Sequence, residues 1–326
     1  MLDNRADPDS IWCRYIMISE DTPLLLHHYE LSPYSEKIRA MCGYLDMPWH
    51  SVITPAMPPR PMLDHLSGGY RKIPVAQIGA DIYCDTRVIT PLLAAYSGKP
   101  ELDLYNCDQA VQDWVAKVEG DLFFACVLSS SSLALNRKVL KTMSLLNLLK
   151  LLVDRINMGR KAAVAMPSLS QAPRLVKDYL PILEEKLQQD YLFADTPNIA
   201  DFSSYHGLWF LRDLGEKAMI KQYPGINAWM DRIKQFGHGH RSECHAQKAL
   251  EIAKYHSPLP VHPEDKNHDL IGELVQIAPT DYGLETSTGF LEGATTNSYI
   301  LSREDPETGQ VHVHFPKQGF SLSKVN

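Results

Sequence analysis

The stretch "LSPYSEKIRAM", Leu31–Met41, follows a short apolar segment and begins a helical pattern. Ser32 is a good N-cap, and Pro33 suits the first helical position because it has no N–H to leave unpaired and its φ is already helical. The apolar residues that follow recur at i, i+3, i+4 and i+7, the spacing of one buried helix face. They are Ile38, Met41, Cys42 and Leu45. The stretch therefore predicts a capped helix, ending near Asp46, that packs on a sheet.

Strand patterns surround this helix. Residues 23–29, "PLLLHHY", and residues 50–55, "HSVITP", predict one strand on either side of it, and the segments "IPVAQIG" and "DIYCD" predict a hairpin around Gly79 and Ala80. A further helix should begin at Asp85, with a bend at Pro91, which removes a backbone donor. This order predicts a small mixed sheet in an α/β domain over residues 22–98.

The rest of the chain divides in two. Residues 104–256 carry amphipathic helical periods and predict an all-helical bundle, in which Asn198 and Asp201 have the spacing of a structural capping box. A proline-rich linker follows, and residues 265–326 predict a small β-rich extension, with strands in "GELVQIA", "TNSYILS" and "QVHVHFP". So small a unit needs to dock on the rest of the chain, or on a second subunit, for its stability.

Composition excludes several classes of function. A net charge of −7 and a pI near 6.0 argue against a nucleic-acid partner, and no apolar run approaches the ~18 residues of a membrane span. The N-terminus is polar and acidic, unlike a signal peptide. Six cysteines without CxxC spacing argue against disulfides and zinc, and His312 with His314 lacks a third metal ligand. We therefore expect a soluble, cytoplasmic protein without a metal.

Three motifs together resemble the glutathione S-transferase superfamily over residues 23–250. They are "SPYSEK" at the first helix, "RKIPVAQIGADIYCDT" at residues 71–86, and "NIADFSSY" with the later "YPGINAWMDRI". The resemblance implies a thioredoxin-like domain followed by a helical domain. The first motif matches the position where tau- and zeta-like members hold a catalytic serine and omega-like members a cysteine. The family's usual Glu–Ser pair is replaced here by Asp85–Thr86, and the extension has no counterpart in the ordinary family pattern.

The resemblance implies glutathione as co-substrate and assigns roles to residues. Ser32 would stabilise its thiolate, and the backbone of Ile73, before a cis Pro74, would pair with its cysteinyl part. Lys72 would bind the glycyl carboxylate, and Asp85 with Thr86 the γ-glutamyl end. Each has a plainer alternative: Ser32 and Asp85 can be caps only, Lys72 can be a solvated charge, and Pro74 can merely shape a turn. Ser35, one turn on from Ser32, is a rival thiolate donor.

The chemistry needs the thiol to be ionised at neutral pH. For an ordinary thiol with a pKa of ~8.5 this means stabilising the anion by ~2.7 kcal/mol. A hydrogen bond to a charged acceptor supplies ~1.5–3 kcal/mol, and a helix N-terminus adds ~0.3–1 kcal/mol. Ser32 at the start of the first helix could supply both. The absence of a cysteine there disfavours thiol–disulfide exchange.

Two classes of function follow. One is a glutathione transferase acting on a small hydrophobic electrophile, with isomerisation or dehalogenation equally compatible with these residues. The other is a non-catalytic binding or scaffold protein that uses its β-rich extension. The resemblance implies a homodimer for either class.

Overall fold

A computed structural model describes residues 22–142, 144–163 and 166–325. Cys13 and the polar N-terminal segment discussed above lie outside these residues. The first part of the chain alternates strands and helices as predicted, and adds a short helix at Pro61–Ser67 that the sequence pattern missed. Its elements are β1 (Leu25–His28), α1 (Pro33–Tyr44), β2 (Pro48–Ile53), α2 (Pro61–Ser67), β3 (Val75–Ile78), β4 (Asp81–Cys84) and α3 (Thr86–Ser97).

The second part is helical, as predicted. Its helices are α4 (Gln109–Glu119), α5 (Asp121–Ser129), α6 (Leu133–Thr142), α7 (Leu145–Lys161), α8 (Ala172–Lys186), α9 (Ile199–Trp209), α10 (Pro224–Gln235) and α11 (Ala246–Tyr255). A short strand, β5 (His240–Glu243), interrupts it before α11. Short 3₁₀ turns cover Pro100–Leu102, Leu104–Asn106, Ala218–Ile220 and Pro263–Lys266, and Phe210–Leu214 forms a π turn.

The capping box of α9 is formed as the sequence predicts. The Asn198 side chain accepts from the backbone N–H of Ala200, and Asp201 accepts from the N–H of Asn198 at 3.0 Å. Asp201 also accepts from the backbone of Leu192 and from the indole of Trp229. Burial raises the pKa of Asp201 to about 6 despite these donors. Its role is therefore structural: it ties three segments of the helical domain together.

The extension is a five-stranded unit: β6 (Leu274–Pro279), β7 (Ser287–Ala294), β8 (Ser298–Asp305), β9 (Gly309–Pro316) and β10 (Phe320–Lys324). It packs within its own chain. Among the described residues all strands form one sheet, in the order β10-β6-β7-β8-β9-β4-β3-β1-β2-β5. The joint is the parallel pair of β9 with β4, in which Asp81, Ile82 and Tyr83 lie opposite His312, Val313 and His314.

One apolar core spans the joint. It contains residues of the first domain, of α11 and of the extension, among them Tyr70, Ile82, Leu250, Val313 and Phe315, each less than 2% exposed. A second, larger core joins α1 and α3 to the helical domain. The domain limits at 22–98, 104–256 and 265–326 stay a prediction.

Within the described residues, no single helix is long and apolar enough to cross a membrane. One bent pair of helical segments has the length and the composition of a span when the two are taken together. The pair consists of Gln109–Ser129 and Leu133–Thr142, with a bend of 92° between them.

The joint gives a test of stability. Phe315 is 1% exposed and lies edge-on to Tyr70, with ring centroids 5.7 Å apart. We expect Phe315→Ala to lower the free energy of unfolding by about 3–5 kcal/mol, because it opens a cavity in a shared core. Phe290, on β7, is 55% exposed, so Phe290→Ala should change stability by no more than about 0.5 kcal/mol. Urea denaturation of both variants measures the difference; equal effects would mean that the joint is not packed as described.

Candidate functional site

A small cavity lies where the first domain, the helical domain and the extension meet. Its volume is about 40 Å³. All of the predicted ligand residues except Ser32 line it, together with four unpredicted residues of the first two domains and two of the extension. The lining residues are Tyr34, Tyr70, Lys72, Ile73, Pro74, Asp85, Thr86, Arg87, Glu119, Asp281 and Tyr282.

Ser32 is the N-cap of α1, as predicted. Its hydroxyl accepts from the backbone N–H of Ser35 at 3.2 Å, and the residue is 2% exposed. It does not line the cavity, whereas Tyr34, two residues further on, does. Ser35, the rival donor, is fully buried, and its hydroxyl has no hydrogen-bond partner among the described residues. A contact of either hydroxyl with a thiolate stays a prediction.

The Ile73–Pro74 peptide bond is cis, as predicted, and both residues line the cavity. Lys72 also lines it, and its ammonium group is paired with a carboxylate. Its Nζ lies 2.6 and 2.9 Å from the two carboxylate oxygens of Asp281, a residue of the extension. The group predicted to bind a ligand carboxylate is thus already paired with one.

Asp85 is the N-cap of α3, which is the plainer of its two predicted roles. One carboxylate oxygen accepts from the backbone N–H of Arg87 at 3.0 Å, and the other accepts from the Tyr70 hydroxyl at 3.3 Å. Its φ of +93° lies in a region that L-residues rarely adopt. Such strain costs about 1–3 kcal/mol and is concentrated at functional sites. The strained backbone holds Asp85 at the cavity, beside Thr86.

The sequence pattern missed the other charged residues of the cavity. Glu119 ends α4 and pairs with Lys37 of α1 at 2.5 Å, with both side chains largely buried. Burial by itself would raise the pKa of Glu119, but Lys37 and other cations lower it to about 2. Burial opposes the charge of Arg87 too, yet Asp85 and Glu119 outweigh it and raise the Arg87 pKa. Arg87 directly follows the predicted residue Thr86, so its place in the sequence could have indicated it. No local sequence pattern indicates Glu119.

The histidines of the extension do not form a metal centre in the described part of the chain, where no group of three or more His, Cys, Asp or Glu side chains is suited to hold a metal ion. His314 instead makes a hydrogen bond to Asp81 at 2.8 Å and stacks on Tyr83. His312 is buried, and burial lowers its pKa. Both histidines therefore lie inside the joint between β4 and β9.

Comparison with known proteins agrees with this architecture. Residues 26–100 match the family model of the glutathione S-transferase N-terminal domain, and residues 158–235 match that of the C-terminal domain. A GST-like protein from Pseudomonas syringae is 34% identical, with a TM-score of 0.73, and the match covers 93% of this chain and 99% of that one. The chain therefore belongs to the glutathione S-transferase superfamily.

More distant structures also match part of the chain. A glutathione S-transferase from Methylobacillus flagellatus KT with GSH bound is 18% identical, with a TM-score of 0.44; the match covers 66% of this chain and 98% of that one. No curated protein is similar enough to match. The Pseudomonas syringae structure, by contrast, extends over nearly the whole of this chain, which includes most of the β-rich extension.

The pair between Lys37 and Glu119 gives a second test. We expect Glu119→Gln to lower the free energy of unfolding by about 3 kcal/mol at pH 7, because it leaves the buried Lys37 charge unpaired. The double variant Lys37→Met with Glu119→Leu should recover most of the loss.

The pH dependence of this effect has a definite sign. The folded pKa of Glu119, about 2, lies below its ordinary value of 4.5. The ion pair therefore stabilises the folded state fully above pH 4.5. The stabilisation is lost as the pH falls towards about 2. The difference between wild type and Glu119→Gln should therefore narrow in chemical denaturation below pH 4.5. A difference that stays constant with pH would contradict the ion pair.

Proposed function

We propose that the protein binds glutathione in this cavity and stabilises its thiolate for attack on a small hydrophobic electrophile. The observation that carries the proposal is the convergence of the two ends of one sequence motif, residues 71–86, on the cavity. Lys72, Ile73 and Pro74 precede β3, Asp85 and Thr86 follow β4, and all five line one cavity. A packed core would not require this mixture of charged residues and a strained aspartate at one place.

The charges of the cavity suit the ligand. Glutathione carries two carboxylates and one ammonium group. Lys72 and Arg87 provide cations for the carboxylates, and Asp85 provides a carboxylate for the ammonium group. Thr86, the first residue of α3, lines the cavity, and the N-terminus of a helix favours an anion.

The thiolate would lie near the N-terminus of α1. The dipole of this helix favours a negative charge at its N-terminus, and the Ser32 hydroxyl would donate to the sulfur. Together these effects are of the size needed, about 2–4 kcal/mol, to ionise a thiol near neutral pH. Tyr34 lines the cavity and packs on the buried rings of Phe123 and His206, at 4.4 and 5.0 Å between centroids. The electrophile would lie beside Tyr34, where the first domain faces the helical domain. Isomerisation or dehalogenation through the same thiolate is equally compatible.

The proposed role of Ser32 in stabilising the thiolate can be separated from its role as the N-cap of α1. Both Ser32→Ala and Ser32→Gly remove the hydroxyl, but glycine costs a helix only a few tenths of a kcal/mol and alanine costs about 1 kcal/mol. We expect kcat/KM for glutathione with a generic aryl halide to fall about tenfold or more in both variants, and the pKa of bound glutathione to rise. Initial rates across pH and the ultraviolet absorbance of the thiolate measure these effects.

Ser35→Ala is the matched control. If Ser35→Ala lowers the rate and raises the thiol pKa while Ser32→Gly does neither, Ser35 is the donor and the assignment of Ser32 is wrong. If only Ser32→Ala has an effect, in step with its melting temperature, Ser32 acts as a cap alone.

The second candidate is a binding or scaffold protein that keeps the fold without the reaction. It is favoured by one observation: Asp281 already neutralises Lys72, the residue predicted to bind the glycyl carboxylate. Calorimetry with glutathione distinguishes the two candidates. Under the enzyme proposal the wild type binds, and Lys72→Met weakens binding by about tenfold or more. No heat of binding at millimolar glutathione would favour the scaffold. The homodimer and the cytoplasmic location stay predictions.

A further inference from the structure

The segment that joins β6 to β7, residues 280–286, enters the candidate site; we call it the β6–β7 loop. It belongs to the extension, which has no counterpart in the ordinary family pattern. Asp281 and Tyr282 of this loop line the same cavity as the predicted glutathione residues. The extension is thus both a continuation of the sheet and a wall of the site.

Asp281 holds the loop in place through charge and backbone. Its carboxylate pairs with Lys72 at 2.6 Å, and its backbone carbonyl accepts from the N–H of Ala163 at 2.7 Å. The same carboxylate accepts from the backbone N–H of Tyr282 at 2.7 Å, which fixes the turn. Asp281 therefore presents a carboxylate to Lys72 just as a ligand carboxylate would be presented.

Tyr282 fills the space beside that ion pair. The Lys72 ammonium lies 4.2 Å from the centroid of its ring, and the ring lies edge-on to Phe124 at 5.5 Å. Burial raises the pKa of the Tyr282 phenol and of the Tyr34 phenol, which lines the same cavity. The side chain is thus held by contacts with the first domain and with α5 of the helical domain.

The space that remains is far too small for a tripeptide. A cavity of about 40 Å³ has room for roughly three water molecules. Glutathione therefore fits this space only if part of the lining moves, and Asp281 and Tyr282 are the lining residues that the extension supplies. Elsewhere the loop is held by the backbone N–H of Thr280, which donates to Gly319 at 2.9 Å, and by the pair of Arg71 with Glu285 at 2.7 Å. The Glu285 side chain is 46% exposed, and exposed pairs contribute little.

We propose that the β6–β7 loop is a built-in competitor for the carboxylate subsite at Lys72. Asp281 binds Lys72 in the closed state, and glutathione binds after the loop has opened and Asp281 has released Lys72. The measured affinity is then reduced by the fraction of molecules in which the loop is closed. This inference rests on the proposed function, because it takes the glycyl carboxylate of glutathione as the group that replaces Asp281.

The test compares two charge-removing variants of the extension in the full chain. Asp281→Asn keeps the shape and the hydrogen bond to the Tyr282 backbone but removes the charge that competes for Lys72. Asp269→Asn is the matched control, since Asp269 is exposed and does not line the cavity. Calorimetry with glutathione should show about tenfold tighter binding for Asp281→Asn, the effect of one charged contact, and a change within about twofold for Asp269→Asn. Melting curves of all three proteins check that they are folded.

A second probe tests whether the ligand carboxylate takes the place of Asp281 at Lys72. Glutathione whose glycyl carboxylate is converted to an amide also needs the open loop, so Asp281→Asn should tighten its binding by the same factor. The amide should bind both proteins about tenfold more weakly than glutathione, because it lacks the charge that pairs with Lys72 once Asp281 has released it. If wild type and Asp281→Asn bind glutathione equally, the competitor role is wrong while the proposed function stands. If the amide binds each protein as tightly as glutathione does, the ligand carboxylate does not take the place of Asp281 at Lys72, and competition for this subsite is likewise overturned. If neither protein binds glutathione, the proposed function itself fails, and the inference fails with it.

Discussion

The parallel pairing of β9 with β4 is the interaction on which the rest of the structure depends. Without it, β4 would present a row of unpaired backbone groups at the edge of the sheet. With it, five further strands continue the sheet, and the buried hydrogen bond between His314 and Asp81 holds the two strands at the same register. Since Asp81 also accepts from the backbone N–H of Leu259, the linker into the extension is fixed at the same place.

This pairing has consequences for the site. Once β9 and β10 are in place, Phe315 and Phe320 pack against Tyr70, whose hydroxyl donates to Asp85 at the cavity. The loop between β6 and β7 reaches over the cleft to Lys72. The extension therefore both supports the wall of the site and supplies part of its lining. In electrostatic terms the cavity brings two cations, Lys72 and Arg87, against three carboxylates, so the closed site is nearly balanced in charge.

Local structure was predictable because its causes lie within a few residues of each other. The cap at Ser32, the capping box of Asn198 and Asp201, the hairpin of β3 and β4 and the turn at Pro74 each follow from short-range chemistry. The omissions have a physical reason too. Helix α2 is only seven residues long, and β7 contains two glycines, so neither has a strong periodic signal. The family resemblance named five candidate ligand residues that line the cavity, and all five lie in one compact motif, residues 71–86.

Sequence by itself thus determined the capped helix at Ser32, the division into α/β, helical and β-rich segments, and the motif at residues 71–86 whose two ends meet at the cavity. Only the tertiary structure decided what those two ends face. Lys72 and Asp281 lie 209 residues apart, and Lys37 and Glu119 lie 82 apart. The residues next to an isolated lysine or aspartate do not indicate which distant residue will be its ion-pair partner. Pairing between distant charges follows from how the sheet and the helices bring the chain together, and that is set by the whole fold.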